Sequence, residues 1–325
     1  MKSTIIVTGA AGFIGSHTCD CLLAAGHGVV AVDDLSSGRL VNLAEARERP
    51  NFVFEQFDLR MPGRFAELVC STQPAAIIHL AGLVSVQASI RDPGLNFALN
   101  LELTQTVAEV ARSHAVPRLV FASSAAIYGD APGLPLVEET LAHPLSPYGA
   151  AKAASEHLLL SYSHTYGLIV RCQRYFNVFG PRQDPASPYS GVVTVFLNRM
   201  RAGLDPVTFG DGNQSRDFIS VQDVARANLL AATQPAVRSG VANICSGRET
   251  TLNQLLSILA GVTGFRGAIR REEAKPGDIR RSVGDPRRAL AELDFTCEWS
   301  LADACAVVAQ NSLSAVPRSK AGEPH

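Results

Sequence analysis

Residues 5–15 read Ile-Ile-Val-Thr-Gly-Ala-Ala-Gly-Phe-Ile-Gly. Ile5-Ile6-Val7 is short, apolar and β-branched, the pattern of a buried strand. A turn carrying Gly9, Gly12 and Gly15 follows, then a helix predicted to begin near Phe13. Gly9 permits the tight turn, Gly12 lets the backbone approach a pyrophosphate, and Gly15 lets the helix pack closely on the strand. The first-turn amides and dipole of that helix then face the phosphates. Alone, this spacing fits an ordinary strand–turn–helix corner equally well. The next apolar run, Gly28 to Val32, separates the two readings because it ends in Asp33. That is about twenty residues past the glycines, where a ribose-binding acid belongs. A carboxylate there accepts hydrogen bonds from ribose hydroxyls and repels a 2′-phosphate, which favours NAD over NADP. Arg39 softens that preference slightly, and Asp34 reads as the start of the turn that ends at Gly38.

Outward from this unit, strand-like runs alternate with helical stretches. Phe52 to Phe54, Ala75 to Leu80 and Leu119 to Ser123 read as strands, and 96–114 and 148–166 as long helices. The expected fold class is α/β: a Rossmann-type doubly wound parallel sheet with a smaller mixed α/β C-terminal domain. Ligands of such sheets collect at the carboxyl ends of the strands. Beyond residue 177 the pattern loosens into a Gly/Pro cluster at 180–188, a helix at 192–201 and a turn at 209–212. The stretch from Asp217 to Ala232 is alternately apolar and then helical, so it could rejoin the main sheet. Helices are predicted again at 251–263 and 300–312. The dinucleotide-binding domain is expected to comprise 1–176 with 217–240, and the substrate domain 177–216 with 241–313. A polar tail, 314–325, is expected to be flexible.

Composition excludes several classes of function. The 325 residues are 46% hydrophobic, enough for a substantial core, and the net charge of −1 leaves no footprint for nucleic acid or an anionic membrane. No apolar run reaches bilayer length and no signal-peptide pattern opens the chain. The 7 cysteines have no metal-ligand spacing, and Cys19 and Cys21 point in different directions on one predicted helix. The expectation is a reduced, cytoplasmic protein without a metal.

Tyr148-Gly149-Ala150-Ala151-Lys152 places a tyrosine and a lysine one helical turn apart on the same face. Tyrosine titrates near about 10 and is a poor base at neutral pH unless its phenolate is stabilised. Lys152 and the positive ring of an oxidised nicotinamide would supply that stabilisation. Ser124, at the end of a central strand, can hydrogen-bond the same substrate oxygen. The trio is expected to remove a hydroxyl proton while hydride leaves the attached carbon. The small residues of the second long helix (Ala150, Ala151, Ala153, Ala154, Ser155) allow close helix approach, inside a monomer or across a homodimer.

These residues resemble the extended short-chain dehydrogenase/reductase enzymes, and within them the nucleotide-sugar 4-epimerases. The motifs are TGAAGFIGSH at 8–17, HLAG at 79–82, SSAAIYG at 123–129, YGAAK at 148–152, RYFNVFGPRQDP at 174–185, SRDFISVQDVA at 215–225 and KPGDIRRS at 275–282. The resemblance implies that NAD lies along Gly9, Gly12, Phe13, Ile14 and Gly15, with Asp33, Ser37 and Gly38 at the ribose and Asp58 and Leu59 at the adenine. It further implies cofactor contacts from Leu80, Ala81, Gly82, Asn100 and Tyr175, besides Tyr148 and Lys152. For a UDP-sugar it implies contacts from Asn177, Val192, Arg216, Lys275 and Asp278, with Phe209 beside the uracil or simply in the core.

Dehydratases and decarboxylases of this kind carry an acid just after the Ser/Thr; here those positions are Ala125 and Ala126. The chemistry implied is hydride abstraction from C4 and return to the opposite face, a 4-epimerisation without net redox. Ser282 falls at a position that gates the sugar in UDP-hexose 4-epimerases, and a small residue leaves room for a 2-N-acetyl group. LVSVQASIRDP at 83–93, with Ser85 and Ser89, is also similar to epimerases of N-acetylated sugars. The expected substrate pair is UDP-N-acetylglucosamine and UDP-N-acetylgalactosamine, with UDP-glucose and UDP-galactose second. The rivals are a UDP-uronic acid 4-epimerase that uses Arg182 or Arg91, and a non-catalytic NAD-sensing protein. Two departures from the family pattern are Lys275, where an arginine is usual and which Arg280 or Arg281 would have to support, and Leu103, where a glycine is usual.

Overall fold

The apolar runs of the N-terminal half become the strands of one sheet in the computed structural model, which describes residues 2–184, 191–274 and 279–311. They are β1 (Thr4–Thr8), β2 (Gly28–Asp33), β3 (Phe52–Gln56), β4 (Ala76–His79), β5 (Arg118–Ser124) and β6 (Ile169–Tyr175). After them come β7 (Asn177–Phe179), β8 (Val207–Phe209), β9 (Ser215–Ser220), β10 (Gly240–Ile244), β11 (Glu249–Thr251) and β12 (Arg270–Glu272). The main sheet is seven-stranded, in the order β3-β2-β1-β4-β5-β6-β10, and parallel at every pairing. The chain starts at the centre, winds outward to β3, then crosses back over β1. The strand order therefore reverses between β1 and β4, and the crevice beyond their carboxyl ends is the natural ligand site.

Both faces of the sheet are covered, so its strands are apolar throughout rather than alternating. Ile5, Val7, Val29, Ala31 and Ile78 point to one face, where helices Phe13–Ala24 and Val221–Thr233 pack. Ile6, Val30, Val32, Ile77 and Phe121 point to the other, against helices Pro62–Thr72, Leu103–Ser113 and Pro147–Tyr166. Each fully buried side chain of this size contributes about 1.5–3 kcal/mol. Leu103 is absorbed into the second cluster. Just before it, Ala98–Glu102 forms a π turn that joins helix Pro93–Phe97 to Leu103–Ser113.

The stretch from Asp217 does not rejoin the main sheet as a strand. Ser215–Ser220 pairs with β7 and β11 in a three-stranded sheet, and only the helix that follows returns to the main sheet. The seventh strand of the main sheet is β10, which pairs with β6. The short strands β8 and β12 pair with each other, and a separate core of Phe179, Phe196, Leu197, Leu255 and Leu259 fills the smaller part. All seven cysteines are free thiols. Among the described residues, no helix is long and apolar enough to cross a membrane.

Candidate active site

The glycine loop is built by close backbone contact. Gly9 has φ +67°, and a Cβ there would lie 2.7 Å from the Ala81 nitrogen on the neighbouring strand end. A Cβ at Gly15 would run into the Gly9 carbonyl. Gly12 caps helix Phe13–Ala24 without a side chain, so no hydroxyl or carboxylate competes with an anion for the first turn. Ile14 packs against the core beneath. At the end of β2, Asp33 accepts the Ala11 N–H at 2.9 Å and the Leu35 N–H at 2.8 Å, and burial raises its pKa. Gly38 folds directly against that carboxylate: a Cβ there would sit 2.6 Å from Asp33 Oδ1. Ser37 is exposed beside it, and Asp34 is spent on a local turn with Ser36. Asp58 is gripped by the Arg60 guanidinium, which lowers its pKa, and Leu59 is buried. A side-chain-free helix start, an acid at the second strand end and a backbone-to-backbone floor at Leu80–Gly82 fit a dinucleotide.

Ser124 closes β5; its Oγ accepts the Ala126 N–H at 3.2 Å, and its side chain lies near enough to Tyr148 to lower the tyrosine's pKa. Tyr148 stands in the first turn of helix Pro147–Tyr166, and burial raises its pKa. That turn is pinned from three sides. Its N-cap Ser146 accepts the Gly149 N–H at 3.1 Å, Ser89 Oγ accepts the Tyr148 N–H at 3.1 Å, and Asn96 Nδ2 donates to the Pro147 carbonyl at 3.0 Å. Gly149 is required there, since a Cβ would lie 2.6 Å from the Ala126 carbonyl. One turn on, Lys152 donates to the Ala122 carbonyl at 2.9 Å; its ammonium lies 4.6 Å from the Phe121 ring centre and 5.9 Å from that of Tyr148. Burial lowers the Lys152 pKa to about 8, against a raising effect from Glu156.

Glu156, a further turn along, is itself buried. It accepts from Ser123 at 2.5 Å and pairs with the Arg174 guanidinium at 2.6 Å. The sequence reading passed over Asn96 and Glu156. Their signal is polar residues on otherwise buried helix faces, which only becomes a pattern once the helices are placed.

Other expected contacts are placed differently. Ser85 is buried and its oxygen accepts the Ala88 N–H, capping its own short helix, while Ser89 Oγ donates to the Val86 carbonyl and accepts the Tyr148 N–H. Tyr175 packs in the core, its hydroxyl donating to Asn228 at 2.6 Å. Asn100 sits in the π turn, donating to the Leu83 carbonyl and to Asn96 at 2.9 Å each; its Oδ1 is buried without a hydrogen-bond partner and lies against Gly82.

In the smaller part, Asn177 donates to the Asp217 carbonyl at 2.9 Å, and Arg216 to the Ser215 carbonyl at 2.8 Å. The Asp217 carboxylate gathers the N–H groups of Ser246, Gly247 and Gly284, which joins β9 to the segment after it. Val192 opens helix Val192–Arg201, and half-buried Phe209 ends β8. Ser282 is partly exposed, its N–H on the Ser215 carbonyl at 3.2 Å. Arg280 forks onto Asp211 at 2.8 Å and Arg281 onto Glu249 at 2.6 and 2.7 Å, so each supposed substitute for the missing arginine is already paired. Both line an open cleft of about 340 Å³ with Asp130, Ala131, Pro132 and Leu134. Lys275 and Asp278 lie outside the described residues.

A family model described as the NAD dependent epimerase/dehydratase family matches residues 5–245. The chain belongs to this family. It is 39% identical over 302 residues to the UDP-glucose 4-epimerase of Mycolicibacterium smegmatis, covering 93% of this chain and 96% of that protein. It is 31% identical to the UDP-glucuronate 4-epimerase of Thermodesulfobacterium geofontis, over 91% of this chain and 92% of that one. The structure of the UDP-N-acetylglucosamine 4-epimerase of Methanobrevibacter ruminantium M1, in complex with UDP-N-acetylmuramic acid, superposes with a TM-score of 0.91 at 34% identity. It covers 97% of this chain and 99% of that one. This member of the epimerase/dehydratase family is thus an enzyme of the nucleotide-sugar 4-epimerase type with NAD as cofactor.

Proposed function

We propose that the protein interconverts UDP-N-acetylglucosamine and UDP-N-acetylgalactosamine, with UDP-glucose and UDP-galactose as a second, slower pair. Tyr148 takes the proton of the C4 hydroxyl and later returns it, Ser124 holds the same oxygen through its hydroxyl, and the Lys152 charge steadies the phenolate. NAD, held by the glycine loop and Asp33, supplies the acceptor and donor of hydride, so no net oxidation results. Ala125 and Ala126 offer no acid to drive a further step on the 4-keto sugar.

The observation that carries the substrate reading is Ser282: small, partly exposed, and on the segment hydrogen-bonded to Ser215 next to Arg216. A uronate reading is supported by the glucuronate relative but weakened at Arg182, whose guanidinium is paired with Asp20 at 2.6 Å. The deciding assay is turnover of the purified protein with NAD on UDP-N-acetylglucosamine, UDP-glucose and UDP-glucuronate, with products separated by chromatography. Highest efficiency on the N-acetylated sugar is expected; preference for either of the others overturns the assignment. Ser282→Tyr should depress the N-acetylated reaction more than the plain hexose one, and equal loss on both would remove Ser282 as the gate.

The protein is further inferred to be a homodimer through helices Leu103–Ser113 and Pro147–Tyr166. Ala150 and Ala154 are exposed one turn apart on the second, which suits close helix approach. Sedimentation at micromolar concentration should give twice the monomer mass, reduced to the monomer by Ala154→Glu; a monomeric parent protein would refute this.

A further inference from the structure

The polar side chains buried between the glycine loop and the catalytic helix form one directed hydrogen-bond chain. His79, the last residue of β4, is 1% exposed and stacks on Phe121 with 6.0 Å between ring centres. Its Nδ1 is 2.8 Å from Thr8 Oγ1 and its Nε2 is 3.3 Å from Thr104 Oγ1. The Thr104 hydroxyl donates its one proton to the Asn100 carbonyl at 2.6 Å. Toward His79 the Thr104 oxygen can then only accept, so Nε2 carries the ring proton. Nδ1 is left bare and accepts from the Thr8 hydroxyl, whose oxygen receives the Ala81 N–H at 3.3 Å. Beyond the π turn the chain continues through Asn100 Nδ2 to Asn96 Oδ1 and through Asn96 Nδ2 to the Pro147 carbonyl, at 2.9 and 3.0 Å. Pro147 is the residue before Tyr148. A branch from Ser155, on the catalytic helix, also ends on the Asn100 carbonyl at 2.8 Å.

We propose that His79 is a positioning residue of the epimerase: as the neutral Nε2–H tautomer it ties the strand under the glycine loop to the π turn, and so to the first turn of the helix that carries Tyr148. This rests on Tyr148 being the acid–base residue. The geometry explains why a histidine is needed. The ring must accept at one nitrogen and donate at the other, across a gap between two threonine hydroxyls that no aliphatic side chain bridges. Protonating it would set a second N–H against Thr8. Burial, and the charge of Lys152 on the far side of Phe121, hold its pKa down to about 3, so it stays neutral under working conditions. Catalysis needs the reacting groups held closely; a misplacement of about 1 Å can cost about a hundredfold.

The first test is direct. In NAD-loaded enzyme labelled with 13C and 15N, with the His79 ring assigned through bonds to its own backbone, His79 should show a protonated Nε2 and a bare Nδ1. Both should be unchanged between about pH 5 and 8, where an ordinary histidine titrates. A protonated Nδ1, or titration in that range, overturns the proposal. The second test is kinetic. His79→Gln keeps a donor toward Thr104 and loses the acceptor for Thr8, so kcat should fall about tenfold with KM within about twofold and NAD content unchanged. His79→Phe keeps the stacking, loses both bonds and should fall further. Parental kcat in both variants also overturns it, and should neither variant fold, the spectrum of the parent protein still decides. Were Tyr148→Phe to remain active, the acid–base assignment would fail instead, and the spectrum would report on His79 independently.

Discussion

Tyr148 and Lys152 do not reach their working states by themselves. Burial raises the Tyr148 pKa, in the wrong direction for a base, and the nearby Ser124 side chain offsets this only in part. The lysine charge beside the ring is therefore needed. Tyr148→Phe should lower turnover by at least about a thousandfold, near the upper end for loss of a general acid–base group, while NAD and nucleotide binding persist. Turnover with absorbance of bound cofactor checks this, and undiminished activity would sink the assignment. The same charge sets a pH limit. Lys152 is pulled down to about 8 and is protonated below that value and neutral above it. The stabilising charge is thus present at neutral pH and lost as pH rises, so kcat should decline through about pH 8. A rate that is flat or rising across that window would show that the lysine charge is not required.

At the scale of elements, the catalytic helix is aimed by its first turn. Proline at its first position brings no N–H, and the next two are taken by Ser89 and Ser146. Ser89 is fully buried on helix Val86–Arg91, so Ser89→Ala leaves the Tyr148 N–H without an acceptor. The expected cost is about 1–3 kcal/mol of stability, with kcat falling more than KM rises. Urea unfolding with steady-state kinetics checks this, and Ser89→Thr should restore part of both. A variant with parental kinetics would mean that Ser146 alone orients the helix. Of the two serines of this segment, Ser89 is the one hydrogen-bonded to the Tyr148 backbone.

For the whole molecule, the Glu156–Arg174 pair joins the catalytic helix to β6 in the interior, and Arg174 reaches on to the Glu138 carbonyl at 3.1 Å. Removing one partner strands the other charge. Glu156→Gln should cost about 3–5 kcal/mol in unfolding free energy. It should also lower the pH at which kcat declines, because Glu156 raises the Lys152 pKa. Denaturant titration and the pH–rate profile read the two effects separately; a loss below about 1 kcal/mol would mean that water or a neighbour compensates.

The dinucleotide half of the fold and the placing of Ser124, Tyr148 and Lys152 together were legible from residue order alone, because both depend on short-range spacing: glycines around one turn, an acid at the next strand end, a tyrosine and lysine one helical turn apart. Asp34 as a turn residue and the helix at 192–201 were legible for the same reason. What the tertiary structure decided depends on contacts between distant segments. It put Ser215–Ser220 in the small sheet, since an alternating strand does not say which edge it will meet. It turned Tyr175 into the core and spent Ser85 and Ser89 inside the protein. It also joined Thr8, His79, Thr104 and Asn100, residues from β1, β4, helix Leu103–Ser113 and the π turn, into one chain. A side chain's hydrogen-bond partner is set by which backbone packs beside it, and packing is a property of the folded molecule rather than of local order.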